Sequence, residues 1–297
     1  MLFEVLISII AILILSIYIK FKISFRFWKD RNVPFISPVF PIGNLIEIMK
    51  GKLHSSLVFE KFYKQMKNTG DYCGLYFFND PALLVLSPEF AKTILVKDFN
   101  CFIDRGMFSN EKDDPLSANL FFLEGQRWKD LRAKLTPTFT SGKLRIMFPT
   151  LLDVGNKFIK HIHSSTEINQ TIDIYDLLLR LNTDVISSVA FGFESNSLEN
   201  PQTEFRTMGK RMLSFSGWKS LKIMMASNFP NVAKALKIRF NDEDVADFFL
   251  NIVKQTINHR KNTGLERKDF MQLLIDLMKK DDTEEEKLTF NEIVRNF

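Results

Sequence analysis

The sequence predicts a mainly α-helical fold with a small β-sheet near the N-terminus. Three observations support this prediction: an apolar run opens the chain, two short β-type segments lie between residues 71 and 86, and helical periodicity dominates from about residue 140 onward. With 297 residues and 45% hydrophobic content, the chain is long enough to bury a large core.

The first element is an 18-residue apolar run, residues 2–19, whose one charged residue is Glu4. As a helix, such a run rises roughly 27 Å, about the thickness of the hydrocarbon layer of a membrane. No basic segment precedes it and no small-residue cleavage site follows it, which favours an uncleaved anchor over a signal peptide. Because basic residues follow the run, the positive-inside rule predicts that the rest of the chain is cytoplasmic.

The charge balance excludes one class of function. The formal net charge is +5, but residues 1–31 hold five Lys or Arg against two acidic residues, so +3 of it belongs to this terminal segment. The remaining chain is nearly neutral, which argues against a nucleic-acid-binding surface. Cys73 and Cys101 form neither a disulfide framework nor a Cys-x-x-Cys pair, so we expect a reducing compartment and two small buried side chains. We predict no metal ligand in the chain.

The segment after the anchor, residues 20–45, is basic and rich in proline. Closely spaced Pro34, Pro38 and Pro41 predict a stiff, extended hinge between the membrane and the domain. We therefore divide the chain into a transmembrane anchor at residues 1–19, this hinge at 20–45 and a domain at 46–297.

The next elements are a helix and a hairpin. Residues 53–66 have helical periodicity. Residues 71–78 and 82–86 read as two strands joined by a turn at Asn79-Asp80-Pro81, and Ser87 followed by Pro88 predicts a helix start.

Helical patterns fill the remainder of the chain. The spacing of apolar residues in 172–192 predicts a helix that Gly192 ends, with an apolar face formed by Ile174, Leu177, Leu178, Leu181 and Val185. The polar run at residues 279–292 predicts a solvated loop that leads into a last helix.

Trp128 and Arg132 are spaced one helical turn apart, and a wheel places both on the side of Leu131 and Leu135. From spacing alone, the arginine stem can pack on the core while its head reaches water or a carboxylate. The alternative is a docking site for an acidic group of a buried ligand, because an indole N–H and a guanidinium fork together suit a carboxylate. The spacing leaves both interpretations open.

The wording around this pair carries a family resemblance. The stretch EGQRWKDLRAKLTPTFTSGKLRIMFP resembles the C-helix region of microsomal cytochrome P-450 haem-thiolate monooxygenases of the insect family-six type. Further segments are similar to the same family in the same order: Gly43-Asn44 after the prolines, KDFNCFIDRG, DDPLSANLFFLEG, NTDVISSVAFGFESNSL, FRTMGKRM and RKDFMQLLIDLM. The resemblance covers the whole chain.

The resemblance implies a cytochrome P-450 fold and a haem cofactor whose propionate is bound by Trp128 and Arg132. It implies insertion of one oxygen atom from O₂ into a lipophilic substrate, with electrons from NADPH-cytochrome reductase, at the endoplasmic reticulum membrane. The family's axial cysteine lies in a Phe-x-x-Gly-x-Arg-x-Cys-x-Gly loop, which does not occur in these 297 residues. We therefore expect an N-terminal portion that lacks the C-terminal half of the fold, holds no catalytic residue and is inactive by itself.

Two further groups of residues follow from the resemblance. The substrate pocket is expected to be lined by Phe108, Asn119, Leu120, Phe121, Phe122, Met212, Leu213 and Phe215. The outward-facing cations Arg127, Lys129 and Lys134 are expected to form part of the reductase-docking face. A non-catalytic, membrane-tethered fragment that binds lipophilic ligands or reductase remains the alternative function, and for each pocket residue ordinary core packing remains the alternative role.

Overall fold

The computed structural model describes residues 2–51, 53–167, 171–214, 217–279 and 288–295. Across these residues the fold is mainly helical, with one two-stranded sheet, which confirms the predicted fold class. The chain divides into two compact units, residues 1–103 with 217–228 and residues 104–216 with 229–297. Each unit has hydrophobic clusters of its own.

The elements follow one another along the chain with short connections. They are α1 (Leu2–Ser24), α2 (Ile46–Met49), α3 (Ser55–Met66), β1 (Tyr72–Phe77), β2 (Asp80–Val85), α4 (Pro88–Lys92), α5 (Gly125–Leu135), α6 (Ser141–Glu167), α7 (Ile174–Val185), α8 (Glu204–Leu213), α9 (Gly217–Asn228), α10 (Pro230–Ala235), α11 (Glu243–Thr263), α12 (Phe270–Lys279) and α13 (Phe290–Arg295).

Helix α1 is the one helix among the described residues that is long and apolar enough to cross a membrane. The apolar segment has a mean hydropathy of 2.3 and none of it is buried. Exposure extends over residues 3–20, and Phe21 is the first buried side chain. The last turn of α1 therefore belongs to the packed part of the first unit.

The predicted hairpin is present, with a shorter turn than expected. Strands β1 and β2 pair antiparallel, with Phe77 opposite Asp80 and Tyr76 opposite Pro81. The turn is thus formed by Phe78 and Asn79, and the prediction that Asp80 and Pro81 belong to it was wrong. Pro81 lacks an N–H donor but is tolerated because β2 is an edge strand.

The helices that flank the hairpin begin as the sequence predicts. The Oγ of Ser87 accepts a hydrogen bond from the N–H of Phe90 at 3.2 Å, and Pro88 occupies the first position of α4. Helix α3 packs Val58 and Phe62 against Leu75 of β1. The cap and the apolar spacing are local signals, which explains why the sequence was sufficient here.

The two cysteines differ in burial. Cys73 is fully buried in a small cluster with Met66 and Leu86, as expected. Cys101 is exposed, so the prediction of a buried side chain was wrong at this position. Cys101 lies in a single 3₁₀ turn, residues 99–101, that contributes no buried residue.

The core of the second unit is centred on α11. Val245, Phe249, Val253 and Ile257 follow one another at intervals of four residues and are all buried, which is the spacing of one helical face. Leu131 and Leu135 of α5 pack into the same cluster, as do Leu274 and Ile275 of α12. This cluster fixes the position of α5 within the second unit.

Helix α7 continues into a π-helical segment, residues 186–191, and ends at Gly192 as predicted, with φ +78°. Its predicted apolar face is only partly correct. Leu177 is buried, but the side chains of Ile174 and Leu178 are 56% and 44% exposed. The buried side instead carries Asp184, whose burial is compensated by the hydrogen bonds it accepts. Residues 280–287 of the predicted polar loop lie outside the described residues.

Candidate functional site

The candidate site is the exposed flank of α5. Gly125 opens the helix with φ +60°, and its N–H donates a hydrogen bond to Asp104 Oδ1 at 2.6 Å. Leu131 and Leu135 then face the core of the second unit, with 1% and 6% of each residue exposed. Since these two leucines fix the rotation of the helix, the positions of Trp128 and Arg132 are fixed with them.

Trp128 and Arg132 lie at the edge of this buried face. Trp128 is half-buried, whereas Arg132 is exposed, so the wheel's placement of Arg132 on the core side was wrong. Arg132 makes no ion pair with any described residue. Its helix neighbour Arg127, by contrast, is paired with a carboxylate. The arrangement offers a half-buried indole and a free guanidinium one turn apart, which fits an acidic group supplied from outside the described chain.

The three predicted docking cations have different surroundings. Arg127 contacts Glu111 at 2.8 Å, with 64% of its side chain exposed. Lys134 contacts Glu292 at 3.2 Å and is only 14% exposed, so it presents little charge to solvent. Lys129 is half-buried. These contacts connect α5 to α13, since Glu111 also pairs with Arg295.

The carboxylates of this contact region have shifted acidities. The pKa of Glu111 is lowered, first by the hydrogen bond from Arg127 and further by the charge of Arg295. Burial raises the pKa of Glu292, but hydrogen bonds from Thr289 and Lys134 outweigh it and the net pKa is lowered. Both carboxylates therefore remain ionised to lower pH than usual, which keeps α5 attached to α13.

Thr289 and Glu292 form a capping box at the start of α13. The N–H of Thr289 donates to Glu292 Oε2 at 2.7 Å, and the N–H of Glu292 donates to the Thr289 Oγ1 at 3.2 Å. The side chain that caps α13 is thus the same one that holds Lys134. The sequence analysis did not single out Thr289 or Glu292 for this role, although Thr-x-x-Glu is a recognisable local pattern.

The predicted pocket residues fall into three groups. Phe108 and Phe122 are buried, and Leu120 and Met212 are partly buried against the α11 cluster, so the structure brings these last two to one core. Phe121 and Leu213 are 53% and 73% exposed. Asn119 is half-buried and shapes its own loop, because its Oδ1 accepts from the N–H of Phe121 at 2.9 Å. Phe215 lies outside the described residues.

A buried carboxylate that the sequence analysis missed holds this loop. Asp114 is 0% exposed and accepts hydrogen bonds from the N–H groups of Phe240 and Asn241, both at 2.9 Å. The ring of Phe122 packs on that of Phe240 with centroids 4.9 Å apart. No local pattern could reveal this function, because the partners lie more than a hundred residues away in the chain.

A separate cleft of about 790 Å³ runs along α11. It is lined by half-buried Phe193, Phe248 and Ile252, with His259 and Glu204 among its polar residues. None of the predicted pocket residues lines it. Among the described residues, no group of three or more His, Cys, Asp or Glu side chains is arranged to hold a metal ion.

Comparison with known proteins gives a consistent result. Residues 33–297 match the family model described as Cytochrome P450. The chain is similar to cytochrome P450 6a9 of Drosophila melanogaster, with 38% identity over 275 residues, 93% of this chain and 54% of that protein. Similarity to cytochrome P450 6A1 of Musca domestica is 37% over 272 residues, 91% of this chain and 53% of that protein. The chain spans about half the length of the curated relatives it matches.

Proposed function

Because the chain belongs to the cytochrome P450 family, we propose that it serves a haem-dependent monooxygenase that inserts one atom of dioxygen into a lipophilic substrate, xenobiotic or endogenous. The curated relatives are about twice as long as this chain, so the activity is proposed for the family fold as a whole. These 297 residues contribute the helix that binds the cofactor's acidic edge.

The observation that carries this proposal is the state of Arg132. It is exposed, has no carboxylate partner among the described residues, and lies one turn from a half-buried indole. A haem propionate is an acidic group attached to a flat apolar body, and it fits the guanidinium fork together with the neighbouring aromatic edge. We assign Trp128 and Arg132 to binding and orienting that propionate.

The haem, when bound, supplies the dioxygen chemistry that no side chain provides. The protein residues contribute orientation and exclusion of water. Leu131 and Leu135 hold α5 on its core, so that Arg132 has a fixed origin from which to bind. Phe108, Asn119, Leu120, Phe121, Phe122, Met212, Leu213 and Phe215 remain the proposed substrate-lining residues.

We propose that neither cysteine of this chain is the iron ligand. Burial raises the pKa of the Cys73 thiol, which disfavours the thiolate that a metal requires. Cys101 is exposed in a short turn. The expected outcome is that these 297 residues alone give no thiolate-type spectrum in the reduced carbon-monoxide complex.

We further propose that α1 anchors the protein in the endoplasmic reticulum membrane with the domain on the cytoplasmic side. The exposed apolar helix and the basic residues after it support this placement. NADPH-cytochrome reductase is the proposed electron donor, docking on the face that carries Arg127, Lys129 and Lys134. Arg127 is the most suitable of these for contact, since Lys134 is almost covered.

The cofactor assignment is tested by haem titration, followed by the Soret absorbance. Arg132→Leu should weaken haem binding roughly ten- to hundredfold, because a hydrogen bond to a charged group contributes about 1.5–3 kcal/mol. Arg145→Leu is the matched control, since Arg145 is also exposed and without an ion pair to any described residue. It should leave the affinity unchanged.

Haem dimethyl ester provides the second arm, because its propionates carry no charge. Wild type and Arg132→Leu should bind the ester equally. An equal loss of affinity for haem and for its ester would show that Arg132 supports the fold rather than the propionate. Unchanged haem binding in Arg132→Leu would instead favour a tethered, non-catalytic fragment that binds lipophilic ligands.

A further inference from the structure

The segment that follows the apolar helix is packed on β1. The indole of Trp28 covers Gly74 so closely that a Cβ there would approach Trp28 Cγ to 2.4 Å. Trp28 Nε1 donates to the carbonyl oxygen of Leu75 at 2.9 Å. The hydroxyl of Tyr76 donates to the carbonyl oxygen of Phe25 at 3.0 Å, and accepts from the N–H of Trp28 at 3.2 Å. The C-terminal end of α1 is therefore fixed to the hairpin.

Residues 38–41, which we name the 38–41 turn, are fixed to the same strand from the other side. The N–H of Gly43 donates to the carbonyl oxygen of Val39 at 2.7 Å, which closes the turn. A Cβ on Gly43 would lie 2.2 Å from the carbonyl oxygen of Tyr76, so the backbone approaches β1 as closely as glycine allows. Asn44 completes the attachment, since its Oδ1 accepts from the N–H of Tyr76 at 2.7 Å.

The 38–41 turn also contacts the apolar helix directly. The ring of Phe40 meets the ring of Tyr18 edge-on with centroids 5.5 Å apart, and that of Phe21 at 5.3 Å. Phe40 and Val39 are nevertheless 48% and 45% exposed. The turn, the helix and β1 thus form a closed ring of contacts that leaves two apolar side chains uncovered.

These contacts fix the depth of the turn relative to the helix. Tyr18 lies within the exposed apolar run, about one turn before Lys22. Aromatic residues at such a position, followed by lysines, mark the boundary between hydrocarbon and headgroups. Phe40, in contact with Tyr18, must lie at that same boundary whenever the helix spans a bilayer.

We propose that the 38–41 turn is a second membrane contact, in which Phe40 and Val39 enter the interfacial layer of the lipid. The inference rests on the proposed anchoring of α1, and it adds a point of contact that sets the orientation of the first unit on the membrane. The occupant of the exposed patch is lipid, because the patch is continuous with the apolar helix surface and shares its aromatic boundary. Trp28 is a positioning residue that holds the turn at this depth.

The test uses an environment-sensitive NBD fluorophore attached to single cysteines in the whole protein, reconstituted in phosphatidylcholine nanodiscs. Cys101→Ser removes the exposed thiol, and Cys73 is fully buried. Cysteine replaces Phe40 as the test position, Ile10 as the anchor position, and Leu95 as an equally apolar control that is 69% exposed in the same unit.

The proposal predicts that the label at position 40 emits at shorter wavelength than that at position 95. It should be quenched by lipids with a nitroxide near the headgroup, and be protected from aqueous iodide. Iodide quenching at position 40 equal to that at position 95, with the label at position 10 still quenched by lipid nitroxides, would overturn the proposal and leave the anchor intact. Lack of lipid quenching at position 10 would overturn both.

Gly74→Ala tests the positioning role of Trp28 without altering the turn itself. The added methyl group displaces the indole, so the label at position 40 should lose its lipid quenching while that at position 10 keeps it. Trp28→Phe, which retains a ring but loses the bond to Leu75, should produce an intermediate loss. Unchanged quenching at position 40 in both variants would show that the turn is held without Trp28.

Discussion

The guanidinium of Arg260 and the carboxylate of Asp269 form a two-point ion pair inside the second unit. Nη1 lies 2.8 Å from Oδ1 and Nη2 lies 2.5 Å from Oδ2. The two side chains are 4% and 0% exposed. The pair joins α11 to the start of α12, where Asp269 Oδ1 also accepts the N–H of Gln272 at 2.9 Å.

Asp269→Asn should destabilise the protein by about 3–5 kcal/mol, because the change leaves the buried charge of Arg260 uncompensated. The measurement is urea denaturation of the detergent-solubilised protein, followed by circular dichroism. Asp244→Asn is the matched control, since it removes an exposed ion pair with Arg211 and should have little effect. Equal midpoints for both variants would show that the buried pair is unimportant for stability.

Gly192 borders the same ion pair and leads to a second prediction. A Cβ at this position would lie 2.0 Å from Arg260 Nη2, and the φ of +78° disfavours any side chain. Gly192→Ala should therefore cost about 2–4 kcal/mol of unfolding free energy. Gly155→Ala, in the open interior of α6, should instead stabilise by about 0.5–1 kcal/mol. Destabilisation of similar size in both variants would contradict this account.

The sequence predicted the elements whose causes are local. The Ser87-Pro88 cap, the helix of residues 55–66 and the terminator Gly192 depend on neighbours within a few residues, and all three are present. The predicted α7 face failed at Leu178, because the partner that orients α7 is a buried carboxylate on a side that the apolar pattern does not mark. Asp184 accepts hydrogen bonds from the N–H groups of Ser197 and Leu198, at 2.6 and 3.0 Å.

The candidate site was predicted less completely than the fold. Spacing was sufficient to place Trp128 and Arg132 one turn apart on α5, but the exposure of Arg132 depends on what the rest of the chain covers. The contacts that hold the site were not predictable from spacing. Arg127 and Arg295 share the carboxylate of Glu111 although the two arginines are far apart in sequence, and such pairing appears only in the folded chain.

Asp114 yields a prediction about the loop that carries the proposed pocket residues. Asp114→Asn should destabilise the attachment to Phe240 and Asn241 by about 1–3 kcal/mol, because one acceptor is lost from a buried network. The readout is the rate of trypsin cleavage at exposed Lys112, which should rise. Asp113→Asn is the adjacent control and should cleave at the wild-type rate. Faster cleavage in the control as well would remove the special role of Asp114.

The pH dependence of stability follows from Glu111. Its pKa is lowered from the ordinary value of 4.5, chiefly by the hydrogen bond from Arg127. The unfolded state therefore binds more protons than the folded state around and below pH 4.5, so stability falls as the pH drops through the folded pKa. Above that range the contribution is fully present and does not vary with pH.

Glu111→Gln removes this titration while preserving the size of the side chain. The variant should be less stable than wild type at neutral pH, and the difference should shrink on acidification through the range where Glu111 of the wild type becomes protonated. Thermal unfolding at a series of pH values measures this convergence. Glu89→Gln is a suitable control, because Glu89 lies in the exposed first turn of α4, away from both arginines. Parallel curves for Glu111→Gln and wild type would show that Glu111 does not couple the attachment of α5 and α13 to pH.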